Sequence, residues 1–129
     1  VNNQLDSYGK ATIIDCHSFP SKPFKRDLDK SPKRPDFNIG TDSFHTTKEL
    51  IDISVSFFEN SGYTLGIDRP YKGSIVPLEH YQKNKNVSSV MLEVNRALYL
   101  DEPTNQKSEA YEKTKQTVGE YIRTIRNSL

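Results

Sequence analysis

The nine residues VSSVMLEVN, Val87–Asn95, are the most apolar stretch of the chain and constrain its fold more than any other segment. A short run of this kind, rich in Val and free of Pro and Gly, reads as a strand. A second strand is expected over Ala11–Cys16, after the breaker Gly9, a third over Phe37–Thr41 and a fourth over Tyr63–Ile67. Two helices complete the pattern. Thr46 and Glu49 have capping-box spacing, so a helix opens there. Leu50, Ile53 and Phe57 recur on one of its faces, with Ile51, Val55 and Phe58 beside them, and Gly62 can take the left-handed cap that ends it. From Ser108 a last helix carries Tyr111, Thr114, Val118, Tyr121, Ile122 and Ile125 at helical spacing. Strands alternating with helices imply a layered α/β fold, α/β/α with a mixed sheet.

Composition bounds the rest. With 129 residues, 33% of them hydrophobic and 27% charged, the chain has material for one domain with a modest core. Lys and Arg (18) nearly balance Asp and Glu (17), so no net field points to nucleic acid or an acidic membrane surface. No run approaches the roughly 18 apolar residues of a membrane span. The opening VNNQLDSYGK has the form of neither a signal nor a transit peptide. A single cysteine makes no internal disulfide, which fits a reducing, cytoplasmic setting. The segment Lys22–Asp36, KPFKRDLDKSPKRPD, is dense in Pro and charge and has no apolar period. It reads as a solvated surface excursion, or as a lid.

In open α/β sheets, sites lie beyond the carboxyl ends of strands. The polar clusters DCHS, DRPYKG and EVNR fall there. His17, flanked by Asp15 and Ser18, suits a metal ligand or general base, and equally a hydrogen-bonded structural histidine. Cys16 and His17 are neighbours on a strand and diverge to opposite faces. They form no nucleophile pair, and Cys16 is expected to be a small core residue. Glu93 interrupts apolar neighbours, where a carboxylate is costly unless paired. It is a base with a raised pKa, a partner of Arg96 or Arg69, or a residue facing solvent on an edge strand. Arg69 can clamp a carboxylate and Tyr71 can donate a hydrogen bond, or RPYKG is a plain turn. His45 is expected to help order the start of the helix at Thr46, and His80 to lie on the surface.

Four segments together, IDCHSFPS, PDFNIGTDSFHT, GYTLGIDRPYKGSIVP and VSSVMLEVNRALYLDE, resemble the N-formylglutamate amidohydrolase family, in the family's order and from Ala11 to about Glu102. The resemblance implies a zinc carboxypeptidase-like (phosphorylase/hydrolase-like) domain. It implies hydrolysis of an N-acyl amino acid such as N-formyl-L-glutamate in the cytoplasm, in histidine degradation. His17 looks like a zinc ligand, Glu93 like the general base and Tyr71 like a substrate-facing tyrosine. Arg69, Lys72, Gly73, Asn95, Arg96 and Ser18 are the matched candidates to meet the substrate or support Glu93. Two departures stand out. The family loop usually has Asn before its Pro-Tyr and two glycines after, where this chain has Asp68, Arg69, and Gly73 followed by Ser74. The first two zinc ligands normally lie upstream in an H-x-x-E-like pair, and no histidine precedes His17 here. The expectation is therefore that residues 1–129 form a single domain corresponding to the C-terminal part of a longer one. On that expectation the zinc-dependent activity belongs to the longer protein, and this chain alone is inactive. The alternative is a non-catalytic fragment or carboxylate-binding module that retains the fold.

Overall fold

The computed structural model describes residues 1–128. Its principal sheet has four strands in the order β1-β4-β2-β3: β1 Ala11–Phe19, β2 Phe37–Gly40, β3 Leu65–Ile67 and β4 Val87–Asn95. β1 runs parallel to β4, β4 antiparallel to β2, and β2 parallel to β3, so the sheet is mixed and the fold is α/β. The apolar stretch that dominates the sequence is β4, which lies between β1 and β2 and is buried along almost its whole length.

Strand alternation sorts β4 into two faces. Val90, Leu92 and Val94 join Phe37, Ile39, Leu50, Phe58, Tyr121 and Ile125 in the core beneath α2 (Lys48–Asn60) and α3 (Tyr111–Ser128). Ser89, Met91, Glu93 and Asn95 face the other way, toward the loops 20–36 and 68–86. Ser89 Oγ donates to Ile75 O and Asn95 Nδ2 to Pro35 O.

On α2 the fully buried stripe is Leu50, Ser54 and Phe58, at steps of four, while Ile51, Ile53 and Phe57 are half-buried. Ser54 satisfies its hydroxyl between Leu50 O and the Tyr121 hydroxyl, 2.8 Å away, where the two helices meet. Burial pushes the Tyr121 phenol up to about 12 despite that bond, so it stays neutral.

The helix boundary differs from the capping-box expectation. Thr47, not Thr46, is the N-cap and accepts from Leu50 N–H, whereas Thr46 donates its hydroxyl to Ser89 O and ties α2 to the sheet. Gly62 does take the left-handed conformation after α2. Four short elements were not foreseen: the helix α1 (Asn2–Tyr8), a 3₁₀ turn over Arg96–Leu98, and the two strands of a small hairpin, β5 (Leu100–Asp101) and β6 (Gln106–Lys107). α1 is held by His80, whose Nε2 lies 2.7 Å from Asn2 Oδ1, so His80 is half-buried rather than a free surface residue. His45 is fully buried, with Nδ1 2.7 Å from Val87 O and Nε2 accepting from Gln82 N–H, and it anchors the 77–82 turn.

The 68–73 loop returns across the sheet at a point only glycine allows. A Cβ on Gly40 would lie 2.3 Å from the Gly73 carbonyl oxygen and 2.4 Å from Met91 Cε, and Gly73 itself has φ +99°. Gly40→Ala is expected to lift this loop and lower stability by about 1–3 kcal/mol, the usual range for overpacking. The urea midpoint measures it, and an unchanged midpoint would mean that the loop does not bear on Gly40.

Candidate functional site

Parallel register places His17 directly beside Glu93, and the antiparallel pair on the other side of β4 places Asn38 beside Glu93. Three neighbouring strands, about 4.8 Å apart, thus line up His17, Glu93 and Asn38 in one row on the loop-facing side of the sheet. The row lies two residues short of the carboxyl ends of β1 and β4.

Glu93 is only 6% exposed, and its Oε2 is buried with no hydrogen-bond partner. Burial raises its pKa; the neighbouring His17 and Arg96 oppose that rise, and Asp15 adds to it. A buried, unpaired carboxylate with an elevated pKa is the state a general base near neutral pH requires. His17 is half-exposed and its Nε2 lies 2.9 Å from Asp15 Oδ2. Residues 15 and 17 share a strand face, and Asp15 orients the imidazole.

Cys16 corrects an expectation. It is exposed rather than in the core, because β1 is an edge strand of the sheet. What burial it has, together with the Asp15 charge, pushes its thiol pKa up, away from the reactive thiolate.

The loop candidates divide. Tyr71 stands over the same face: Asn38 Nδ2 donates to its carbonyl oxygen (2.9 Å), and its ring packs on Phe19 at 6.2 Å. Asn38 Oδ1 accepts from Arg69 N–H, so one buried side chain fixes both ends of the Arg69–Tyr71 turn. The Arg69 guanidinium is turned to the 22–36 segment, with Nε on Asp29 Oδ2 (3.2 Å) and Nη2 on Ser31 Oγ. Asp68, where the family has Asn, grips Thr41 through both its backbone N–H and its hydroxyl. Lys72 is exposed. Gly73 shapes the turn.

At the end of β4, Asn95 is committed to structure. Its Oδ1 caps Ala97 N–H and its Nδ2 reaches Pro35 O. Ser18 points to the opposite face from His17 and accepts from Arg96 Nε at 3.2 Å. Of the sequence candidates, His17, Glu93 and Tyr71 are therefore brought to one face, with the Arg96 charge felt by Glu93. Ser18 and Lys72 are not brought there, and Arg69 is engaged elsewhere.

Sequence reasoning missed Asn38, Asp27 and Arg34. Asn38 carried a signal of the same kind as Glu93, a polar residue inside an apolar strand. Asp27 and Arg34 carried none, being two charges among many in a Pro-rich segment. In the structure they form a buried ion pair, Nη2 to Oδ2 2.7 Å, with side chains 1% and 6% exposed. Burial alone would raise the Asp27 pKa, but the Phe24 N–H, the Arg34 guanidinium and the Tyr71 hydroxyl hold it below the usual carboxylate range. The 22–36 segment is thus anchored, not a freely solvated excursion.

Among the described residues no group of three or more His, Cys, Asp or Glu side chains is placed to hold a metal ion. His17 with Asp15 and Glu93 does not by itself make the ligand set that a zinc site needs. Among those residues, too, no helix is long and apolar enough to cross a membrane.

The row of His17, Glu93 and Asn38 under a tyrosine loop can be set against known proteins. A comparison with curated proteins finds no match. A crystal structure of N-formylglutamate amidohydrolase from Ralstonia eutropha JMP134 superposes with a TM-score of 0.80 at 23% identity, which establishes the shared fold. The match covers 99% of this chain and 47% of that one, so the chain spans about half the length of its solved relative. The family model for N-formylglutamate amidohydrolase matches residues 1–100, which hold every strand and loop of the site just described. The chain belongs to the N-formylglutamate amidohydrolase family.

Proposed function

We propose that this chain supplies the general base and the substrate-facing loop of an amidohydrolase that cleaves N-formyl-L-glutamate, or a related N-acyl amino acid, in the cytoplasm. The observation that carries this reading is Glu93: a buried carboxylate with an unpartnered oxygen, beside a half-exposed histidine. Glu93 accepts a proton from the water that attacks the acyl carbonyl. It then returns that proton to the departing amine, giving formate and the free amino acid. Asp15 fixes the His17 ring, and Asn38 holds the Tyr71 turn over the row. The His17 and Arg96 charges oppose the rise that burial gives the Glu93 pKa. The substrate is a small molecule. The activity belongs to a longer protein of which this chain is one part.

The zinc that the family implies does not fit the described residues alone, and no step here runs through it. That same observation favours a second reading, a carboxylate-binding module that keeps the fold without turnover.

One experiment separates the two. The longer protein and the 129-residue chain are each dialysed against buffered zinc, then assayed for bound metal and for formate release from N-formylglutamate. The expected result is about one zinc per molecule with turnover in the longer protein, and neither in the chain. Substrate binding without turnover in the longer protein would establish the module instead. Tight zinc and turnover in the chain alone would show that residues 1–129 are sufficient.

A further inference from the structure

We propose that Arg34 and Asp27 are positioning residues, a buried latch that sets the place of Tyr71 over the row of His17 and Glu93. For its catalytic consequence this rests on the amidohydrolase reading. Most charges of the 22–36 segment are in solvent, among them Lys22, Lys25, Arg26, Lys30 and Lys33. Arg34 and Asp27 are the pair turned inward. A buried ion pair is a weak source of stability, since desolvation offsets most of the attraction. What this pair contributes is geometry.

The guanidinium joins three parts of the molecule. Nη1 donates to Pro20 O at the end of β1 (2.9 Å), and Nη2 to Asp27 and to Asp29 O within the loop. Its carbon lies 5.9 Å from the centre of the Phe19 ring and 5.7 Å from that of Tyr71, so the cation rests against both rings. Asp27 accepts the Phe24 N–H (2.9 Å). Tyr71 is therefore held at its carbonyl by Asn38 and at its ring by Phe19 and Arg34. A planar fork reaching several acceptors at once is a task lysine does not reproduce.

The test uses Arg34→Gln, Arg34→Lys and Asp27→Asn. Three readouts apply: trypsin cleavage after Arg26 and Lys30, the Tyr71–Phe19 ring contact by NMR, and kcat and KM for N-formylglutamate in the longer protein. Arg34→Gln is expected to speed cleavage at least about tenfold and to lose the ring contact. It should lower kcat by about 10–100-fold with a smaller change in KM, the signature of a misplaced group. Arg34→Lys should recover protection from trypsin in part, but not the ring contact or kcat. Should Arg34→Gln fail to fold, Arg34→Lys and Asp27→Asn decide on the same readouts. The ring contact and kcat both surviving in a folded latch variant would overturn the proposal. If wild-type longer protein releases no formate, the amidohydrolase reading fails, and the trypsin and NMR results still decide the latch.

Discussion

Glu93→Gln is expected to reduce turnover of N-formylglutamate by at least about 10²–10⁴-fold, the range for removal of a general base. The amide keeps the size and shape of the side chain on β4 but accepts no proton. The wild-type pH profile should follow from the cause of the pKa shift. Burial raises Glu93, so activity falls as pH drops through that raised value, at a higher pH than an ordinary glutamate would give. Stability carries the opposite sign. A carboxyl whose folded pKa lies above its unfolded pKa binds more protons in the native state, so stability declines as pH rises through the window between the two. Glu93→Gln removes that decline. The variant should melt no lower than wild type at pH 8, and the difference should vanish in acid below the ordinary glutamate range. Turnover within a few-fold of wild type in correctly folded variant protein would remove Glu93 from the mechanism.

Phe58→Ala should carry the largest cost in stability, about 3–5 kcal/mol for a buried aromatic truncated in a core. Phe58 is fully buried on α2. Its ring stacks on Phe37 of β2 at 4.4 Å, and Tyr121 of α3 lies 4.9 Å away on another side. One side chain thus joins both helices to the strand that carries Asn38. Domains are stable by only about 5–15 kcal/mol, so the loss is a large share of the total. A thermal melt should fall by roughly 10–20 °C. A fall of less than about 3 °C would mean that the aromatic cluster is not the joint between the layers. The loss should also loosen the site, since β2 holds the Arg69–Tyr71 turn through Asn38.

Much of the architecture was legible because it depends on short-range pattern. The apolar run of β4, the helical period of α2 and α3 and the left-handed Gly62 all report local backbone preference, and each appears where that preference puts it. Boundaries were less legible. By sequence Thr46, with Glu49 three residues on, is the better cap, and only the Ser89 carbonyl, brought in from another strand, draws it away and leaves the cap to Thr47. α1 has no buried residue and no apolar stripe, so it left no periodic trace.

The same division runs through the site. Local pattern in the sequence put a carboxylate among apolar residues at 93 and an imidazole near a strand end at 17, although β1 runs on to Phe19 and His17 stands within it. It determined also that Cys16 and His17 would face apart, because alternation along a strand is a local property. Tertiary packing put residues 17, 93 and 38 in one row, since register between strands distant in the chain is set by the packing of their faces. It also decided which charges of the 22–36 segment go inside. Arg34 and Asp27 look like their neighbours in sequence. They are buried because the end of β1 and the Tyr71 turn present a carbonyl and two aromatic rings that fit this one pair, and desolvating a charge is tolerable only where such partners already stand.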